Sequence, residues 1–191
     1  MRYGSWEMST TKPFLSDVQE LRRRARENMM RGSVTSDYKG DLNQAVDVLN
    51  AALATEIVCI LRYKRHYYMA KGIAKDSVAG EFLQHASEEQ QHADMIAERI
   101  TQLGGAPNFN PEGLATRSHS EYKEGENLVD MIRENLVAER VAIESYREMV
   151  RFFGENDPTT RRMLEEILAV EEEHANDMVD LLEQHGSGGK N

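Results

Sequence analysis

Residues 89–92 read Glu89-Gln90-Gln91-His92 and residues 171–174 read Glu171-Glu172-Glu173-His174. On a helix, positions i and i+3 lie side by side, so each tetrad can aim a carboxylate and an imidazole at one point. A chain this rich in glutamate, with six histidines, offers roughly one such tetrad by chance, so the tetrad alone decides little. The order decides more. Glu56 precedes Glu89 by 33 residues and Glu139 precedes Glu171 by 32, so the chain states Glu and then Glu-x-x-His twice over.

Each of these glutamates interrupts an apolar stripe of helical period. The first stripe runs Leu42, Val46, Leu49, Leu53, Ile60, Tyr63, Tyr67, with Glu56 in the gap after Leu53. The second runs Phe82, Ala86, Ala93, Ile96, Ile100, Leu103, with Glu89 between Ala86 and Ala93. The third, Leu128 to Phe153, is broken by Glu139, and the fourth, from Leu164 to Leu181, by Glu171. A carboxylate in a low-dielectric core costs several kcal/mol unless protonated, paired or bound to metal. Four such interruptions call for one cause.

Boundary residues place the helices. Asp41 before Leu42 and Asp157 before Pro158 are N-cap signals, while Gly104-Gly105 and Gly154 mark ends. The first helix should reach about Ala70, with a short break at Lys71 to Lys75. The stretch from Gly104 to Glu121, with Pro107, Pro111 and Gly113, reads as a loop long enough to run from one end of a bundle to the other. That makes the second and third helices parallel. The expectation is an all-α, antiparallel four-helix bundle over residues 41–186 with a long crossover between helices 2 and 3. A basic N-terminal extension over 1–40, with a short helix from Leu15 to Met30, precedes it, and a flexible tail over 187–191 follows.

Composition bounds the rest. The 191 residues carry a net charge of −10 and an apolar fraction of 40%, with no apolar run approaching the length of a membrane-spanning helix, so no membrane partner is expected. Cys59 stands alone and the N-terminus lacks the apolar segment of a signal peptide, which makes the cytoplasm the default. The charge is uneven: residues 1–40 sum to +3 and the remainder to −13. A basic arm on an acidic body is suited to phosphate or to a neighbouring subunit.

Four carboxylates and two neutral imidazoles carry −4, which two divalent ions would neutralise. Carboxylate oxygen with imidazole nitrogen suits iron or manganese, with zinc a competitor. The pattern resembles that of the ferritin-like di-iron and di-manganese carboxylate proteins. Glu56 through Met69 (EIVCILRYKRHYYM), His92 to Asn108, the LVAERVA segment around Glu139 and Asp157 to His174 (DPTTRRMLEEILAVEEEH) resemble bacterioferritins over about residues 42–185. The resemblance implies Glu56, Glu89, His92, Glu139, Glu171 and His174 as ligands of two iron ions per subunit, with Glu89 and Glu171 bridging. It also implies Tyr63 as a tyrosine beside the ferroxidase centre and a possible electron donor.

Two departures sharpen the resemblance. The position directly after the second-helix glutamate, where bacterioferritins carry a haem-ligating methionine, is Gln90, which argues against haem. The fifth helix of the 24-subunit shells is missing, and with the N-terminal extension this resembles the Dps-like mini-ferritins. Twelve subunits are therefore favoured over twenty-four. The expected activity is oxidation of Fe(II) by O2 or H2O2, storage of Fe(III) in the shell and antioxidant protection. The alternatives are a rubrerythrin-like peroxidase, a manganese catalase or a di-iron oxygenase on the same scaffold, or Dps-like DNA association through Arg22, Arg23, Arg24 and Arg26. Three further residues are weighed. His66 reads as a polar histidine near the bundle surface, with an outer iron ligand or a proton relay as the alternative, Tyr146 as packing rather than a redox group, and Glu88 as facing elsewhere than the metal by helical phase, in a solvated or cavity-facing role.

Overall fold

The computed structural model describes residues 17–72 and 75–185. The basic residues Arg2 and Lys12 and the tail 187–191 lie outside the described residues. Two compact units divide the chain between Asp37 and Tyr38. In the first, α1 (Val18–Glu27) begins at Asp17, whose carboxylate accepts the amides of Gln19 and Glu20 at 2.8 and 3.1 Å. It is shorter than the Leu15–Met30 span expected, and a 3-10 turn (Met29–Arg31) follows it. Arg23 is paired within α1 to Glu20 and Glu27 at 2.6 and 2.7 Å.

The second unit holds α2 (Leu42–Met69), α3 (Lys75–Gln102), α4 (Leu114–Arg117), α5 (Leu128–Phe153) and α6 (Pro158–His185). Asp41 caps α2 by accepting the amides of Asn43 and Gln44, and Asn127 caps α5 by accepting that of Asp130. At the end of α3, Gly104 takes a left-handed φ of +82°, and Gly105 lies so close to α2 that a Cβ would stand 2.5 Å from Val46 Cγ2. A side chain larger than hydrogen there would push α2 and α3 apart.

Cross-helix partners fix the directions. Residues 56, 63 and 66 of α2 meet 146, 139 and 135 of α5, so those helices are antiparallel. Residues 85, 88 and 99 of α3 meet 177, 174 and 160 of α6, again antiparallel. Tyr63 on α2 meets His85 on α3, and Glu56 meets His92, which makes α2 and α3 a hairpin. It follows that α3 and α5 run parallel, as the long crossover requires. That crossover holds one short helix, α4, unmarked in the sequence. Asn50 on α2 ties it down, accepting the amide of Asn108 at 2.8 Å and donating to the carbonyl of Ala106 at 3.2 Å.

One expectation needs correcting. By length and composition α2 is apolar enough to cross a membrane. The cause lies in its position: α2 touches α3, α4 and α5, so Leu49, Leu53, Val58, Cys59 and Ile60 are buried on several sides, together with the polar Glu56, Arg62 and His66. A helix covered on several faces needs a broad apolar surface whatever its solvent.

Asp157 joins the start of α6 to the end of α3 and to Tyr38. Its carboxylate caps α6 by accepting the Thr160 amide at 2.9 Å, pairs with Arg99 of α3 at 2.9 Å, and accepts the Tyr38 hydroxyl at 3.1 Å. Burial alone would raise its pKa, but the hydrogen bonds from Thr160 and Arg99 outweigh burial and hold it below the ordinary range. Asparagine keeps one oxygen for the cap but removes the charge and sets an amide donor against the Thr160 hydroxyl, the Tyr38 hydroxyl and Arg99, leaving the buried Arg99 without its counter-charge. Asp157→Asn should therefore cost about 3 kcal/mol in urea unfolding. The charge contribution is present above the unfolded carboxyl pKa and is lost as pH falls through the depressed folded value.

Candidate metal centre

All six predicted ligand positions converge in the middle of the bundle, each 5% exposed or less. The i, i+3 spacing places Glu89 with His92 on one face of α3 and Glu171 with His174 on one face of α6. Glu56 on α2 and Glu139 on α5 complete the set. His92 Nδ1 lies 3.0 Å from Glu171 Oε1, 3.3 Å from Glu89 Oε2 and 3.4 Å from Glu56 Oε2. His174 Nδ1 lies 3.6 Å from Glu89 Oε1 and 3.8 Å from both Glu139 Oε2 and Glu171 Oε2. Two foursomes result, Glu56-Glu89-His92-Glu171 and Glu89-Glu139-Glu171-His174, each with one ligand atom per residue within 4.8 Å of the others. Glu89 and Glu171 belong to both.

Charge repulsion at this density shows in the protonation of the metal-free site. Burial, then the charge of Glu89, pushes the Glu56 carboxyl up to about 8. Burial, then Glu56 and Glu139, raises Glu171 to about 7. Burial alone would lower His92, but the carboxylates of Glu171, Glu56 and Glu89 crowded around its Nδ1 carry it up to about 12, and His174 is raised by its own carboxylates in the same way. Protons thus do the neutralising that a cation would otherwise do. Even so, Glu56 Oε2, Glu89 Oε1, Glu139 Oε2, both Glu171 oxygens and His174 Nδ1 find no hydrogen-bond partner among the described residues. Buried acceptors left in this state are uncommon unless an ion completes them. Three oxygens and one nitrogen per foursome fit a divalent ion of the iron, manganese or zinc type.

Around the foursomes the two halves of the bundle repeat. Tyr63 donates its hydroxyl proton to Glu139, and Tyr146 donates to Glu56, each tyrosine crossing to the other half's carboxylate. Each follows its own helix's glutamate by seven residues, Tyr63 after Glu56 and Tyr146 after Glu139. The expectation that Tyr146 only packs is therefore corrected: it is the counterpart of Tyr63, and the repeated spacing of seven was the signal. Burial drives both phenols upward, so they stay protonated donors.

Glu88 takes the cavity-facing place expected of it, in the wall of the opening between α3 and α6, and its Oε2 also lies 2.8 Å from His174 Nε2, the arrangement that turns a histidine's other nitrogen toward a metal. One other expectation changes. His66 is fully buried, 3.1 Å from both Asn135 Oδ1 and the Lys123 carbonyl, and burial with the nearby Arg62 charge lowers its pKa to about 4. Both ring nitrogens are engaged in those contacts and the crossover chain covers the side chain, so it is not a surface group. Arg62 itself is 0% exposed, bonded to Asn135 and to the Glu121 carbonyl, and supplies a fixed positive charge beside Glu139. Gln90 is exposed and donates to Asp94 at 3.0 Å.

A cavity of about 390 Å³ between α3 and α6 brings solvent to the centre, with His92, His174, Glu88 and Asp177 in its wall. It opens on the acidic side of the pair, where an incoming cation meets Glu88, Glu166, Glu173 and Asp177 before the buried glutamates.

The chain matches the model of the ferritin-like domain over residues 46–185. It is 28% identical to the bacterioferritin of Desulfovibrio desulfuricans over 132 residues, 69% of this chain and 70% of that one. It is 35% identical over 147 residues to the DNA protection during starvation protein of Halobacterium salinarum, covering 73% and 79% of the two chains. Among solved structures, the dodecameric thioferritin of Bacteroides fragilis, a bacterioferritin-related protein, superposes with a TM-score of 0.73 at 30% identity, over 90% of this chain and 99% of that one. A helical bundle with a twice-repeated Glu and Glu-x-x-His set at its centre, matched over this length, belongs to the ferritin-like family.

Proposed function

We propose that the chain is a ferroxidase and iron-storage subunit that binds two Fe(II) ions and oxidises them as a pair with O2 or H2O2. The observation that carries this reading is the pair of buried foursomes sharing Glu89 and Glu171, with their unpartnered oxygens facing inward. Glu56, Glu89, His92 and Glu171 would hold one ion, and Glu89, Glu139, Glu171 and His174 the other. Two adjacent Fe(II) ions supply two electrons, which matches the reduction of one H2O2 to water or of one O2 to peroxide.

The chain's own residues set the conditions. Tyr63 and Tyr146 keep one oxygen of Glu139 and of Glu56 occupied by a hydrogen bond, which leaves the other oxygen of each free for metal. Glu88 fixes the His174 ring, and Arg62 offsets part of the centre's charge. Loading must expel the protons held by His92 and His174, so entry of metal is coupled to proton release. Oxidised iron leaves by the α3–α6 cavity for storage inside a homo-oligomeric shell, of twelve subunits by analogy with the dodecameric relative. Of the four α1 arginines weighed for DNA association, Arg23 is paired to Glu20 and Glu27 and Arg24 lies 3.6 Å from Glu20, so that reading rests on Arg22 and Arg26.

Stopped-flow oxidation of anaerobically loaded Fe(II) tests the proposal. Two Fe(II) should be consumed per H2O2, and iron should then accumulate to hundreds of ions per native shell. Catalytic peroxide turnover with iron never exceeding a few ions per subunit would support the peroxidase alternative instead.

A further inference from the structure

One polar cluster lies outside the two foursomes and is not needed to build them. His85 is 0% exposed, one turn before Glu89 on α3, with its ring stacked on that of His174 at a centroid distance of 3.9 Å. Its Nδ1 is 3.1 Å from the Tyr63 hydroxyl oxygen. Its Nε2 lies 3.4 Å from Asp177 Oδ2 on α6 and 3.6 Å from Glu81 Oε1 on α3.

The protons decide what this cluster wants. Tyr63 has one hydroxyl proton and gives it to Glu139, so its oxygen can only accept from His85, and Nδ1 must carry the hydrogen. That turns Nε2 toward Asp177 and Glu81, at 3.4 and 3.6 Å, both longer than an ordinary hydrogen bond. One ligand atom from each of Glu81, His85 and Asp177 lies within 4.8 Å of the other two, so the three atoms surround a point that a single cation can occupy. With metal–ligand bonds of about 2.0–2.2 Å, ligand atoms of a tetrahedral site stand about 3.3–3.6 Å apart, and the distances from His85 Nε2 to Asp177 and to Glu81 fall in that range.

The internal repeat gives independent support. Glu89 and His92 recur 82 residues later as Glu171 and His174. By the same offset Glu81 corresponds to Met163, His85 to Ile167, and Asp177 to Met95. One half of the centre is built with three apolar residues where the other half has three ligand-type residues, so the cluster is not a requirement of the dinuclear pair. We infer that Glu81, His85 and Asp177 form a third binding site for a divalent transition-metal ion, at the edge of the α3–α6 cavity. The site joins the centre through Tyr63, which His85 and Glu139 share. Glu81 and Asp177 keep 33% and 37% of their side chains exposed, so an ion reaches them from solvent without opening the bundle.

The test is a count of Co(II) bound at equilibrium dialysis, without oxygen, by the full chain and by the Glu81→Gln/Asp177→Asn double variant. Both substitutions keep size and lie at half-exposed positions, and circular dichroism confirms the fold. The inference predicts three tight ions per subunit in the parent and two in the variant. It is overturned if the parent binds two and the variant is unchanged, a result that leaves the dinuclear centre standing. It is also overturned if the variant loses all three, since the cluster would then be part of the centre, or if the parent binds none. One ion in the parent and none in the variant would uphold this site and remove the dinuclear reading.

Discussion

Glu171→Gln will lower the rate of Fe(II) oxidation by about 100-fold or more while raising, not lowering, the melting temperature of the metal-free protein. The two effects have one origin. Glu171 stands in both foursomes, and both its oxygens lack a hydrogen-bond partner. Without metal, that carboxylate is repelled by Glu56 and Glu139, and burial and these charges raise its pKa to about 7. The amide removes the repulsion at nearly constant volume, so the empty site relaxes. With metal, the amide supplies one neutral oxygen where two anionic ones served both ions. Loss of a group that merely orients a ligand already costs 10–100-fold, so loss of a shared ligand costs at least that. Melting scans of the metal-free and metal-loaded forms, together with stopped-flow oxidation, check both halves. A metal-free variant clearly less stable than the parent would mean that Glu171 has a structural partner instead.

Removing metal should reverse the pH dependence of stability near neutrality. Glu56 at about 8, Glu171 at about 7 and His92 at about 12 all bind protons more tightly folded than unfolded. Groups with raised folded values contribute stability that is present below their unfolded pKa and lost as pH climbs through the folded one. The metal-free protein should therefore lose stability steadily from about pH 5 to pH 9. Glu139 shifts the other way, burial being outweighed by His174 and Glu171, but its contribution is complete above the ordinary carboxylate range and is flat in this window. Two bound ions replace those protons. Each site filled to a thousand times its dissociation constant adds about 4 kcal/mol. For a domain of this size the pair raises Tm by about 20 °C. The gain should be larger at pH 8 than at pH 6, because fewer protons must leave. Calorimetric scans at the two pH values, with and without Zn(II), make the comparison, and an equal gain at both would contradict the protonation assigned to the centre.

The bundle and its six central residues were legible because a buried charge leaves a mark in a periodic pattern. Glu56, Glu89, Glu139 and Glu171 stand where aliphatic residues belong, and helix phase carries each inward with little help from the rest of the fold. Tyr146 was equally legible in principle, since it repeats the seven-residue step from Glu56 to Tyr63. A tyrosine in an apolar stripe looks like packing, however, until the carboxylate it crosses to is known. His66 was misjudged for a non-local reason: the crossover segment with Glu121 and Lys123 folds over a face that helix phase alone leaves open. Glu88, His85 and Asp177 gain their meaning from the approach of α6 to α3, which local spacing does not fix. The breadth of the apolar face on α2 likewise reports how many elements cover it.

Anomalous diffraction at the iron edge, from crystals loaded with Fe(II) under exclusion of oxygen, tests the central claim most directly. Two peaks about 3.5–4 Å apart are predicted. One should lie among Glu56, Glu89, His92 and Glu171, the other among Glu89, Glu139, Glu171 and His174, with Glu89 and Glu171 reaching both. A single peak, or iron bound elsewhere while these six residues hold none, would contradict it.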